Sequence, residues 1–113
     1  MDCLFCSIAS GDIPADIVMS TDRAVAFRDI APQAPVHVLV IPRAHAADVP
    51  AVAVSDPMLA AELLQLAYQV AEAEGVAESG YRLVANTGSQ AGQTVPHAHV
   101  HVLGGRGLGW PPG

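Results

Sequence analysis

The segment His97-Ala98-His99-Val100-His101-Val102-Leu103 alternates strictly between imidazole and apolar side chains. On a strand, residues i, i+2 and i+4 share one face. The segment therefore reads as a strand over 97–103. It presents His97, His99 and His101 on one side and Ala98, Val100 and Val102 on the other. A chain with such a strand must cover the apolar side and leave room on the imidazole side.

One stretch can supply the cover. Asp56 followed by Pro57 is an N-cap with proline in the first turn. Leu59, Leu63, Leu66 and Val70 then recur on one helical face, and Gly75 fits the position after the last turn. Glu62, Gln65, Gln69, Glu72 and Glu74 face water in this reading. Val36 to Ile41 is an apolar, β-branched run between Pro35 and Pro42, which reads as a strand buried on both faces. Asp16 to Ser20 and Arg23 to Ile30 read as a hairpin, and Tyr81 to Asn86 as a further strand. Cys3 to Ser10 reads as a short helix. The expected architecture is α+β, with about five antiparallel strands, one long helix and one short one. The 113 residues suit a single domain over 1–113.

Charge excludes several functions. All five cations are arginines, there is no lysine, and eleven acids bring the net charge to −6. Such a chain offers no basic stripe for nucleic acid and no basic amphipathic helix for a membrane surface. The missing lysine excludes Schiff-base chemistry and the lysine-containing phosphate loop. Neither an apolar run long enough to span a bilayer nor a secretory leader is visible, so the expected location is the cytoplasm.

Three imidazoles on one strand face are hard to bury as structural histidines, since each needs its own polar partner. A metal site and acid–base or nucleophilic catalysis both remain. Three histidines in a row on one strand make a poor tetrahedral site, so catalysis is the better reading for the middle one, His99. The preceding loop, Thr87 to Pro96, is built of small residues. Gly88, Ser89, Gly92, Gln93 and Thr94 could cradle an anion through backbone N–H groups and hydroxyls.

The sequence resembles the histidine-triad (HIT) superfamily, and within it the Hint branch. The resemblance rests on His97 to Leu103 and on Cys3-Leu4-Phe5-Cys6, Asp12-Ile13-Pro14-Ala15, Phe27-Arg28-Asp29-Ile30, Pro32-Gln33-Ala34-Pro35, His37, Ile41-Pro42-Arg43-Ala44-His45, Gly92-Gln93, Leu103-Gly104-Gly105-Arg106 and the terminal Trp110-Pro111-Pro112-Gly113. It implies a homodimer whose sheets join into ten strands. It also implies hydrolysis of purine nucleoside 5′-phosphoramidates through a nucleotidyl-histidine intermediate. His99 would be the nucleophile, His101 and Thr94 phosphate-site groups, and His37 a relay residue. Thr94 stands where the family usually has serine. Asn86, Gly92, Gln93 and Val95 would line the phosphate side, and Asp29 would hold the ribose. Phe5, Ile8, Ile13, Phe27 and Ile30 would form the purine slot, and Trp110 would reach the partner's site. The alternatives are a dinucleoside polyphosphate hydrolase of another HIT branch and a nucleotide-binding regulatory module.

Cys3 and Cys6 form a Cys-x-x-Cys pair, which suits metal or redox chemistry in a chain without an export signal. Two cysteines and two histidines are a structural zinc ligand set. Similarity to some bacterial HIT proteins implies that His45 and His97 complete it. Zinc would then be a structural cofactor, with none needed for the reaction.

Overall fold

The computed structural model describes residues 3–113, so the first two residues of the expected 1–113 unit lie outside the described residues. Five strands form one sheet: β1 (Ile17–Ser20), β2 (Ala24–Arg28), β3 (Val36–Pro42), β4 (Tyr81–Val84) and β5 (Val100–Gly104). Their spatial order is β1-β2-β3-β5-β4, and every neighbouring pair is antiparallel. The helices are α1 (Leu4–Ser10), α2 (Val49–Ser55) and α3 (Pro57–Ala73). The expected α+β architecture with an antiparallel five-stranded sheet is the one that forms.

α3 covers one face of the sheet. Leu59, Leu63, Leu66, Ala67 and Val70 pack against Ala24, Ala26, Val38, Val40, Ala98, Val100 and Val102. Small alanines on β2 and just before β5 let the helix approach closely, and full burial of each leucine or valine contributes about 1.5–3 kcal/mol. The Asp56 carboxylate accepts the Leu59 N–H at 3.1 Å and starts the helix, and Gly75 leaves it at φ 77°. The other face is covered by α1, where Cys3 and Phe5 pack with Val25, Phe27, Leu39 and Ile41. Two residues expected to face water, Glu62 and Glu74, are only partly exposed. Arg23 reaches Glu62, and Arg28 grips Glu74.

The sequence reading needs four corrections. A second short helix, α2, precedes α3. Only Val52 of it is buried, so it shows no apolar stripe, although Asp48 accepts the Ala51 N–H at 2.9 Å and Pro50 sits in the first turn. Second, β5 begins at Val100 rather than His97. The β3–β5 register would next bring Ala98 opposite Pro42, but Pro42 has no N–H, and the Ala98 N–H donates to Ala46 O at 2.7 Å instead. Third, β2 is shorter than Arg23 to Ile30, because Asp29 turns the chain by accepting the Ala31 N–H at 2.8 Å. Fourth, β4 stops at Val84, short of Asn86.

Candidate active site

The alternation at 97–103 holds its sidedness despite the shorter strand. Ala98, Val100 and Val102 belong to the α3 core. His97 and His99 lie on the α1 side, edge-on to Phe5 at centroid separations of 5.9 and 5.2 Å. His101 follows at 5.0 Å from His99, and His37 on β3 lies 5.1 Å from His101. α1 thus sets an aromatic wall behind the first two triad rings. Phe27 completes that wall, 5.5 Å from Phe5.

Hydrogen bonds to the backbone assign a tautomer to His99 and His37, and His37 then assigns that of His101. His99 Nδ1–H donates to the His97 carbonyl at 2.7 Å, so in the neutral ring the lone pair is on Nε2. His37 Nδ1 accepts the Gln33 N–H at 3.0 Å, which places the His37 proton on Nε2. That Nε2–H donates to His101 Nδ1 at 2.9 Å, and His101 is left with a protonated Nε2. Both relay rings are neutral at pH 7. Burial pulls the His37 pKa below its ordinary value, with Asp29 opposing. His101 is held down to about 4 by burial, then by His99 and His37, again with Asp29 opposing. The row therefore ends in an imidazole lone pair at His99 beside an N–H donor at His101. A lone pair beside a donor can attack an electrophile and stabilise the charge that develops on it.

His99 and His101 open into a cavity of about 620 Å³, within the range of small-molecule sites. Its wall includes Phe5, Ile8, Ile13, Phe27, Asp29, Ile30, Thr94 and Val95. The lining is mostly apolar, with Asp16, Arg28, Asp29, Thr94 and the two imidazoles as its polar side chains. Phe27 is buried, whereas Ile30 is 100% exposed and stands at the rim. Asp29 Oδ2 lies 3.5 Å from His37 Nε2. Pro14, Ala15 and Leu39 also line the cavity and were not anticipated. Leu39 could have been, since it lies two residues from His37 on the same face of β3. Gln33 lies in the family-like stretch Pro32 to Pro35, but its side chain signalled no role, because it acts through its backbone.

Asn86, Gly92, Gln93 and Trp110 are not among the residues of that wall. Within the loop, the Gly92 N–H donates to Ser89 O at 3.0 Å and the Gln93 N–H to Gly88 O at 3.1 Å, so these two groups are already engaged. The Gln93 amide braces the loop, accepting the Gly88 N–H at 2.9 Å and donating to Ala47 O at 2.7 Å and Val95 O at 3.1 Å. Gly88 and Gly92 permit this turn through φ values of 86° and 83°. The loop is thus held by its own bonds and offers Thr94 and Val95 to the cavity. Trp110 is 84% exposed, in a tail tied to β4 by Arg82 donating to Gly109 O at 2.7 Å.

A second cluster adjoins the first. One ligand atom each from Cys3, Cys6, His45 and His97 lies within 4.8 Å of the others. Cys3 Sγ and Cys6 Sγ stand 3.3 and 3.5 Å from His97 Nδ1, and Cys6 Sγ stands 3.4 Å from His45 Nδ1. Tetrahedral zinc with ordinary bond lengths separates sulfur and nitrogen ligands by roughly 3.5 Å. His97 Nε2–H donates to Pro42 O at 2.9 Å, which leaves Nδ1 as the lone-pair side facing the thiols. Burial lowers the His97 pKa, with the Pro42 bond opposing, so the ring is neutral as a ligand must be. The donor set fits a structural zinc ion.

An antiparallel sheet carrying a row of imidazoles at the mouth of a half-apolar cavity defines a class of small-molecule-binding α+β domain. Residues 10–108 match the HIT domain family, and the chain belongs to that family. It is 50% identical over 112 residues to an uncharacterized HIT-like protein of Synechococcus elongatus, covering 99% of this chain and 97% of the relative. It is 45% identical over 106 residues to the purine nucleoside phosphoramidase of Escherichia coli K12, covering 94% of this chain and 89% of that protein. A HIT family hydrolase from Legionella pneumophila superposes with a TM-score of 0.95 at 52% identity, covering 99% of this chain and all of the other. Among the described residues, no helix is long and apolar enough to cross a membrane.

Proposed function

We propose that the protein hydrolyses the P–N bond of purine nucleoside 5′-phosphoramidates, releasing nucleoside monophosphate and amine. The observation that carries this reading is the tautomer of His99. Its Nδ1–H is committed to a backbone carbonyl, so in the neutral ring the lone pair is on Nε2, in a residue that lines the cavity. The similarity to a purine nucleoside phosphoramidase supports the substrate class.

In this mechanism His99 Nε2 forms a bond to the α-phosphorus and the P–N bond breaks. The amine departs with a proton taken from water, and a nucleotidyl-histidine remains; the proton lost by the attacking water in the next step restores the balance. Water then attacks phosphorus, the bond to Nε2 breaks, and the monophosphate leaves. The transition state of each step spreads charge over the nonbridging oxygens, where the His101 Nε2–H and the Thr94 hydroxyl are assigned. His37 holds His101 in the donating tautomer. Asp29 accepts the ribose hydroxyls, and Phe5, Ile8, Ile13, Phe27 and Ile30 take the purine. Zinc held by Cys3, Cys6, His45 and His97 would supply structural rigidity only.

The reading includes a homodimer paired through β4, which ends the sheet. Exposed Leu83 on that strand and exposed Leu64 and Tyr68 on α3 support it, as does a tail that leaves Trp110 free to reach a partner. It also includes a cytoplasmic location, where cysteines without a disulfide stay reduced.

A panel of AMP and GMP amides assayed beside a diadenosine polyphosphate tests the substrate class. Preference for the amides is expected, and preference for the polyphosphate would move the protein to another branch of the family. His99→Ala should abolish turnover by orders of magnitude while AMP still binds. A trapped nucleotidyl adduct should map to His99, and an adduct elsewhere would overturn the nucleophile assignment.

A further inference from the structure

Arg106 touches neither the cavity nor any of its imidazoles, yet it closes a chain of bonds that ends there. Its Nε and Nη2 donate to the Gln33 carbonyl at 3.2 and 3.0 Å, and its Nη1 donates to Gly107 O at 2.9 Å. Gln33 in turn donates its N–H to His37 Nδ1 at 3.0 Å. Both backbone polar groups of Gln33 are therefore engaged, one by the guanidinium and one by the imidazole. From His37 the chain continues through Nε2–H to His101 Nδ1 at 2.9 Å.

Gln33 sits in a loop, 29–35, that belongs to no strand or helix. Such a loop fixes a proton only if something fixes the loop. Two features of the β5 exit do so. The Arg106 fork grips one carbonyl with two donors, a geometry that a lysine cannot reproduce. Gly105 lies flush on the loop, since a Cβ at that position would come within 2.9 Å of Pro35 Cβ, and its φ is +88°. The turn after the triad strand thus clamps the loop before β3. Both flank the same His37–His101 pair.

From this geometry we infer that Arg106 is a positioning residue. It holds Gln33 so that its N–H selects the His37 tautomer, and through it the protonated Nε2 of His101. The inference rests on the proposed role of His101 in phosphoryl transfer, but its structural half stands apart from turnover. Without the clamp, Gln33 N–H spends less time on His37 Nδ1, and His37 samples both tautomers. In the wrong tautomer His37 Nε2 is an acceptor. His101 must then place its proton on Nδ1, which removes the donor from the cavity. The substrate-binding walls are unchanged, so the loss falls on the chemical step rather than on binding.

The test uses the full-length protein with ¹⁵N-labelled histidine, compared with Arg106→Met and Arg106→Lys. Ring ¹⁵N shifts should report the Nε2–H tautomer for His37 in the wild type, and a shift toward mixed tautomers in R106M. With an adenosine phosphoramidate, kcat of R106M should fall on the order of tenfold and KM should stay nearly constant. R106K should restore at most part of the loss. Unchanged His37 shifts in both variants would overturn the positioning role, as would a rise in KM with kcat intact. Altered shifts with wild-type kcat would overturn the link to catalysis. Failure of the wild type to cleave any phosphoramidate would remove the functional reading, while the ring shifts would still decide the tautomer claim.

Discussion

The carbonyl of His97 accepts the Nδ1–H of His99 at 2.7 Å, while the ring of the same His97 faces the Cys3 and Cys6 thiols. One residue therefore belongs to two sites. Its ring Nε2–H is anchored on Pro42 O at 2.9 Å, and its backbone sets the proton position of the next imidazole on that face. Whatever fixes the His97 ring also fixes the peptide that orients His99. The metal-type cluster and the candidate nucleophile are thus joined through a single peptide group.

Removing the proposed zinc should loosen both. A ligand present at about a hundred times its Kd adds about 2.7 kcal/mol to stability, or roughly 10–20 °C of Tm in a chain of this size. Chelation of the purified protein should lower Tm by at least that order, and Cys6→Ser should reproduce the shift without chelator. Metal analysis should find zinc in the wild type and little in C6S. A Tm indifferent to chelation, with both thiols free in the native protein, would sink the zinc assignment.

The sequence made the sheet legible where a period was strong. The imidazole alternation at 97–103 and the 3.6-residue stripe from Leu59 to Val70 each named a face correctly, since both patterns are driven by burial on the α3 side. It missed α2, whose fold depends on the Asp48 cap and the Pro50 first turn rather than on an apolar face. It placed the start of β5 too early, because the competing bond from Ala98 to Ala46 is a tertiary contact with no local signature. Residue types pointed to the imidazoles, and the family resemblance to Asp29. They could not show that Gln33 and Pro42 fix the ring protons, since each acts through a main-chain atom that any residue could supply.

Leu66 of α3 is fully buried against the sheet face opposite the imidazoles. Leu66→Ala should cost about 2–5 kcal/mol, the transfer term plus the cavity left behind. Turnover per folded molecule should change little, because the sheet separates this core from the cavity. Urea unfolding gives the first quantity, and kcat measured well below the new Tm gives the second. A loss under about 1 kcal/mol would mean that the α3 core collapses around the deletion.

The depressed pKa of His101 has a definite signature in stability. Its folded value of about 4 lies below the ordinary histidine value, so the unfolded chain binds more protons between the two. Stability should therefore be level above about pH 7 and fall as pH drops from about 6.5 toward 4. Burial of His37 pushes the same way. His101→Gln removes one of these titrations, so its urea midpoint should decline less steeply over that window. Parallel declines for both proteins would show that His101 does not supply the effect.

Asp29 presents the last separable function. Its Oδ1 accepts the Ala31 N–H at 2.8 Å, while Oδ2 stands 3.5 Å from His37 Nε2 at the cavity wall. Asp29→Asn keeps an oxygen for the Ala31 N–H, so the turn should survive. What it loses is the charge that strengthens hydrogen bonds from ribose hydroxyls, worth about 1.5–3 kcal/mol each. KM for an adenosine phosphoramidate should rise roughly 10–100-fold. A substrate lacking both ribose hydroxyls should bind the wild type as weakly as the intact substrate binds D29N, and combining the two changes should add little further loss. Non-additivity of that kind is the mark of groups in direct contact. If the two losses simply multiply, Asp29 does not hold the ribose, and its proximity to His37 becomes its main role.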